Sequence, residues 1–268
     1  MGIRMIVTDL DGTLLAPDST ISDRNLAAIA AARAAGMFVL AATGRSIVDV
    51  RMLPPTIAEV VVCSNGAVTY DAAGDKVLAS RNLDPAIIAE FLATFEPLAP
   101  GVRFATLTNG GYDFRAGPGY LELMRPGDHG RNRAELVELP LAEMASEPAV
   151  KLVARHPEMS AEQLFELSRE LAPLGVHPTT SGAPFLELAA AGISKASTLA
   201  QLAADRGIDP AEVVVFGDSA NDVEMLSWAG HGVAMANGVP VALAVADEIA
   251  PANTEDGVAV VLERLLGI

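Results

Sequence analysis

Short apolar runs of strand length recur at both ends of the chain. Ile3–Thr8, Met37–Ala42 and Val60–Cys63 form one set, and Val213–Phe216 and Gly232–Ala236 repeat the pattern near the other end. Runs of this kind, apolar at successive positions, predict parallel strands buried on both faces. Between the first two, Ser22 opens a helical stretch with Leu26, Ile29 and Ala30 on one face, stopped at Gly36. Further helices are predicted over 194–206 and 221–229. Strand and helix alternating at this spacing predict an α/β domain with a mostly parallel sheet.

The middle of the chain has a different rhythm. From Leu83 to Ala189, helical segments over 85–95 and 160–172 alternate with strand-like pieces at Val102–Leu107, Glu135–Leu139, Val150–Arg155 and Phe185–Leu188. Pro97, Pro100, Gly110-Gly111 and Gly117-Pro118-Gly119 punctuate them. The pattern predicts an α+β domain over 83–189, inserted into a discontinuous parent domain formed by 1–82 and 190–268. One continuous sheet would instead need these alternating strands to be buried on both faces.

Composition narrows the function. The chain has 268 residues, 51% of them hydrophobic, enough for a large core and too apolar for disorder. Against 18 Lys+Arg stand 34 Asp+Glu, a net charge of −16, which argues against nucleic acid and anionic membrane surfaces as partners. Cys63 is the only cysteine and the four histidines are scattered, so neither a disulfide within the chain nor a zinc site is expected. No signal peptide or apolar span is evident, and Ile6 stands where a myristoylation pattern needs Ser or Thr. A soluble cytoplasmic protein is expected, monomeric or a small homo-oligomer. Only three lysines occur, Lys76, Lys151 and Lys195, so the position of each needs a reason.

Four segments carry the chemistry. Asp9-Leu10-Asp11-Gly12-Thr13-Leu14-Leu15 follows the first strand directly, at the strand end where α/β sheets bind ligands. The two carboxylates either cap a turn or gather charge around a divalent cation. A calcium-binding EF-hand loop fails, because Leu14 occupies its glycine position and Thr20 its glutamate. Thr43-Gly44 ends the second strand and either opens a helix or holds a phosphate oxygen. Gly217-Asp218-Ser219-Ala220-Asn221-Asp222 follows Val213–Phe216; a helix cap accounts well for Asp222 and less well for Asp218, since one cap suffices. Lys195 comes just after the cap residue Ser194, where a cation opposes the helix dipole by ~0.3–1 kcal/mol unless an anion lies beside it.

Together these residues resemble the haloacid dehalogenase superfamily. Asp9–Leu15 is similar to its first motif, Thr43-Gly44-Arg45 to the second, Lys195 to the third and Gly217–Asp222 to the fourth. The wide gap between the second and third, together with Ser64-Asn65-Gly66-Ala67, Gly232–Gly238 and Asn253–Val258, resembles the Cof-type IIB subfamily. The resemblance implies an α/β fold, a Rossmann-like parallel-sheet core with an inserted α+β cap of type C2. It also implies a Mg²⁺-dependent phosphatase that works through an aspartyl-phosphate. Asp9 would be the nucleophile and Asp11 the general acid and base. Asp9, Asp218 and the main-chain carbonyl of Asp11 would hold Mg²⁺. Thr43, Gly44, Lys195 and Asn221 would bind the phosphoryl oxygens, and Asp222 would orient Lys195 or a metal-bound water. Arg45 and Asn65 are candidate substrate contacts; Asn109-Gly110-Gly111 and His129 are weaker ones in the cap. The implied substrate is a small phosphorylated metabolite such as a sugar phosphate. Phosphoryl transfer of the phosphomannomutase type is the alternative chemistry. A non-catalytic phosphate-binding module would show decay of a catalytic position, and none has decayed.

Overall fold

A computed structural model describes residues 2–126 and 128–268. The chain first lays down β1 (Met5–Thr8), β2 (Phe38–Ala42), β3 (Val60–Cys63), β4 (Val68–Asp71) and β5 (Lys76–Ser80). It then builds a separate sheet from β6 (Arg103–Thr108), β7 (Asp113–Ala116), β8 (Ala149–Arg155), β9 (Val176–Thr179) and β10 (Leu186–Ala190). It returns to the first sheet with β11 (Val213–Gly217), β12 (His231–Met235) and β13 (Glu248–Ala250). The first sheet runs β13-β12-β11-β1-β2-β3-β4-β5, the second β7-β6-β8-β10-β9. Pairing is parallel from β13 through β3 and antiparallel at β4 and β5. The fold is α/β, as the apolar runs predicted.

The sequence dictates this burial directly. Along β1, Ile6 packs on one face with Val39, Val61 and Val214, while Met5 and Val7 pack on the other with Leu40 and Val215. Helices Asp23–Ala34 and Gly257–Leu266 cover the first face through Ile29, Ala32, Val258 and Leu262. Lys195–Ala204 and Val223–Trp228 cover the second through Leu199, Met225 and Leu226. Ser22 caps the first of these helices by accepting the Asn25 N–H at 3.1 Å. Asn25 in turn accepts the Ala259 N–H at 2.9 Å, pinning two helices together.

The antiparallel sheet has its own apolar face, where Phe91, Phe95 and Leu164 of helices Pro85–Phe95 and Ala161–Ser168 meet Phe104, Leu152 and Leu188. Its other face turns toward the parallel sheet: Ala105, Leu107, Val150 and Val153 share a cluster with Ile47, Cys63 and Ala67. That packing brings residues of the antiparallel sheet against loops at the carboxyl ends of β1, β2 and β3.

Two predicted elements differ. Glu135–Leu139 is not a strand; a 3₁₀ turn covers Arg133–Glu135, and Glu138 makes a single bridge to Ala116. The Glu138 carboxylate accepts the N–H groups of Gly119 and Leu121, both at 2.9 Å, so the residue serves the start of helix Tyr120–Leu123 instead of a ladder. The helix predicted over 160–172 ends at Ser168 and tightens to 3₁₀ over Arg169–Leu174, which contains Pro173, a residue with no N–H to donate. No helix among the described residues is long and apolar enough to cross a membrane.

Candidate active site

Asp9 leaves the end of β1 with its N–H donated to the Phe216 carbonyl at 2.9 Å, and its side chain is buried. The ammonium of Lys195, 1% exposed, donates to Asp9 Oδ1 at 2.6 Å and to Asp222 Oδ1 at 2.7 Å. This explains a cation in the first turn of a helix: two carboxylates outweigh the dipole. Burial works against the lysine's charge, but Asp222 and Asp9 overcome it and hold the ammonium above its usual range. Asp222 Oδ2 also accepts the N–H groups of Asp218 and Ser219, at 3.0 and 2.9 Å, which fixes the Gly217–Asp222 turn.

Asp218 faces Asp9 from the neighbouring strand end and accepts the Thr13 hydroxyl at 2.7 Å. Between them Gly12 adopts φ +79°, and a Cβ there would lie 2.3 Å from Asp218 Oδ2, so both conformation and space demand glycine. Carboxylate oxygens of Asp9, Asp218 and Asp222 lie within 4.8 Å of one another. Burial pushes the Asp9 carboxyl well up, opposed by Lys195 and reinforced by Asp222 and Asp218. Burial likewise pushes Asp218 up to about 6, against the Thr13 hydrogen bond. Three carboxylates around one ammonium leave negative charge uncompensated, and the donors are all oxygen. This set fits a hard divalent cation beside Asp9 and Asp218. Asp222, already committed to Lys195 and two backbone donors, supports the site from behind.

The second motif lies alongside. Thr43 is buried, its hydroxyl oxygen accepting the Arg45 N–H at 3.0 Å. Arg45, a candidate substrate contact, forks onto Asp11 through Nε at 2.8 Å and Nη2 at 2.6 Å. The Asp11 side chain is 54% exposed in this arrangement. Asn221 donates to Asn65 Oδ1 at 2.9 Å, leaving Asn65 Nδ2 and Asn221 Oδ1 buried without partners among the described residues. Asn65-Gly66 is a hairpin connection between β3 and antiparallel β4, and a buried one. Gly66, at φ +107°, packs so closely on the Ser194 carbonyl that a Cβ would lie 2.2 Å from it. Near the carboxyl end of the chain, Asn237 donates to the Gly12 carbonyl at 2.8 Å and Asn253 to that of Leu15 at 2.7 Å, bracing the Asp9–Leu15 loop.

Asp9, Asp11, Gly44, Arg45 and Asn221 open onto a cleft of about 900 Å³ between the two sheets. Asp9, Asp11 and Asn221 line one side, His129, Lys151 and Phe185 the other. His129 stacks on Phe185 with centroids 4.5 Å apart and shares a 2.8 Å hydrogen bond with the Tyr120 hydroxyl. Burial lowers its pKa to about 3, so it is neutral. Asn109 instead pairs with Asp113 on an exposed turn. Sequence reasoning missed Lys151 altogether. It is buried, ion-paired to Glu187, and donates to the Gly44 carbonyl at 2.5 Å, so the antiparallel sheet touches the Thr43-Gly44-Arg45 turn. Its scarcity was the available signal, since two of the chain's three lysines are interior.

The chain matches the haloacid dehalogenase-like hydrolase family over residues 6–262. It belongs to that family. Pyridoxal phosphate phosphatase YbhA of Escherichia coli is 28% identical over 268 residues, covering 97% of each chain. HMP-PP phosphatase of Serratia proteamaculans is 30% identical over 242 residues, covering 88% of this chain and 85% of that one. Among solved structures, the subclass IIB sugar phosphatase BT4131 superposes with a TM-score of 0.80 at 20% identity, covering 99% of this chain and 100% of that one. The chain is thus a haloacid dehalogenase-like hydrolase of the Cof type, and its relatives are named as phosphatases.

Proposed function

We propose that this hydrolase is a Mg²⁺-dependent phosphatase of small phosphomonoesters, sugar phosphates or related metabolites, working through an aspartyl-phosphate on Asp9. The reading rests on one observation above the others: the Asp9 carboxylate at the base of the cleft, held by Lys195 with Asp218 facing it. Residues 1–82 and 190–268 form the catalytic part, and 83–189 cap it.

Lys195 holds Asp9 Oδ1, leaving the other carboxylate oxygen to attack phosphorus. That oxygen bonds to phosphorus as the bond to the leaving oxygen breaks, and Asp11 gives the leaving alkoxide its proton. Asp11 must turn away from Arg45 to do so, which frees the Arg45 guanidinium toward the phosphoryl group. Asp11 then takes a proton from the water that cleaves the acyl-phosphate, releasing inorganic phosphate and restoring Asp9. The Thr43 hydroxyl, the Gly44 backbone, the remaining Lys195 hydrogen, the unpartnered Asn65 amide nitrogen and the second amide hydrogen of Asn221, whose first is given to Asn65 Oδ1, would donate to the phosphoryl oxygens, where negative charge accumulates. Asp9, Asp218 and the Asp11 carbonyl would hold Mg²⁺, which would supply the positive charge that offsets carboxylate and phosphate.

Phosphate release from a panel of phosphorylated metabolites, with Mg²⁺ and then with chelator, tests the proposal. Release from a monoester without any bisphosphate activator also separates it from the mutase chemistry. No release from any ester with Mg²⁺ present would overturn it.

A further inference from the structure

Three cations line the cleft that contains Asp9: Arg45, Lys151 and Arg131. The first two are ion-paired, Arg45 to Asp11 and Lys151 to Glu187. Arg131 has no carboxylate at ion-pair distance among the described residues. Its Nη2 donates to the Gly111 carbonyl at 3.1 Å, and its Nε is buried with no acceptor. Burial depresses the guanidinium's pKa, because the charges of Asp49 and Asp113 compensate it only partly. An arginine that lines a cleft with a donor left unmet by the described residues can take a partner from outside the protein.

The loop that presents Arg131 is firmly held. His129, two residues earlier, lies between the rings of Phe185 and Phe114, with centroids 4.5 and 4.7 Å away. Asp128 accepts from Arg155 at 2.6 Å. Gly130, at φ +60°, backs so closely onto the core that a Cβ would lie 2.0 Å from Asp49 Oδ1. Asp49 belongs to the helix Ile47–Val50, which begins just beyond Thr43-Gly44-Arg45. The loop therefore docks beside the phosphate-binding turn with Arg131 lining the same cleft as Asp9, and little ordering remains to be done when a ligand arrives.

We propose that Arg131 binds a second anionic group on the leaving portion of the substrate, a carboxylate or another phosphate. A guanidinium offers such a group a planar fork of donors, and the hydrogen bonds are charge-assisted. A neutral polyol would leave part of that charge unmet. The inference rests on the phosphatase reading and narrows its substrate to phosphomonoesters that carry a further negative charge.

Two matched substrate pairs test it: 3-phosphoglycerate against glycerol 3-phosphate, and fructose 1,6-bisphosphate against fructose 1-phosphate. The protein is expected to favour the more anionic member of at least one pair by about tenfold or more in kcat/KM, the size of one charge-assisted contact. Arg131→Met is expected to erase that preference, lowering the ratio by about the same factor. A wild-type preference for the less anionic member of both pairs, or a ratio that Arg131→Met leaves unchanged, overturns the inference. Failure to hydrolyse even p-nitrophenyl phosphate with Mg²⁺ would overturn the phosphatase reading and this inference with it. Hydrolysis without a charge preference overturns this inference alone.

Discussion

Lys195 shows how much a single position can reveal. A lysine one residue past a helix cap makes electrostatic sense only beside anions, and Asp9 and Asp222 are those anions. Asp9, Asp11, Thr43, Asp218 and Asp222 were legible for a related reason: each lies at a strand end or helix start, where local sequence fixes position. Lys151 and Arg131 were not, because their places at the cleft depend on contacts made across the fold. The Lys151–Glu187 pair joins two strands whose adjacency no short window encodes. His129 is similar, its stacked environment assembled from Phe114 and Phe185. Its pKa of about 3 in the folded chain, against about 6.5 when unfolded, has a consequence for stability. Between those values the unfolded chain binds the extra proton, so stability is fullest above about pH 6.5 and declines as pH falls toward 3. Urea unfolding of His129→Phe is expected to show a smaller stability loss between pH 8 and pH 5 than the wild type. An equal loss would place the acid sensitivity elsewhere.

At the scale of elements, strands buried on both faces were the easiest to read. β1, β2, β3 and β11 are apolar at nearly every position because helices cover both sides of the sheet. The edge strand β5 escaped notice because most of it is exposed, so burial imposes no pattern on it. Glu135–Leu139 misled for a different reason. Its alternation imitates a strand, yet Glu138 is spent on the N–H groups of Gly119 and Leu121. Removing that carboxylate with Glu138→Ala should destabilise the fold by about 1 kcal/mol, as loss of a helix cap does. Thermal unfolding measures this, and an unchanged midpoint would mean that water replaces the carboxylate without cost.

For the whole molecule, the net charge of −16 takes on a different meaning once the site is known. It argues against polyanionic partners, and a small part of it lies in a carboxylate cluster that one lysine does not neutralise. Mg²⁺ is therefore expected to raise the melting temperature more than NaCl at equal ionic strength, since a specific ligand of the folded state stabilises it and screening does not. An equal rise with both salts would count against a specific metal site. The two-sheet arrangement adds what neither sheet has alone: a cleft with Asp9 and Asp11 on one wall and His129, Lys151 and Phe185 on the other.

The central claim is that Asp9 forms the covalent bond to phosphorus, and Asp9→Asn tests it most directly. The substitution preserves size while removing the charged nucleophile. With Mg²⁺ and p-nitrophenyl phosphate, and circular dichroism confirming an intact fold, kcat should fall by about a thousandfold or more. Turnover within a few-fold of wild type would contradict the account.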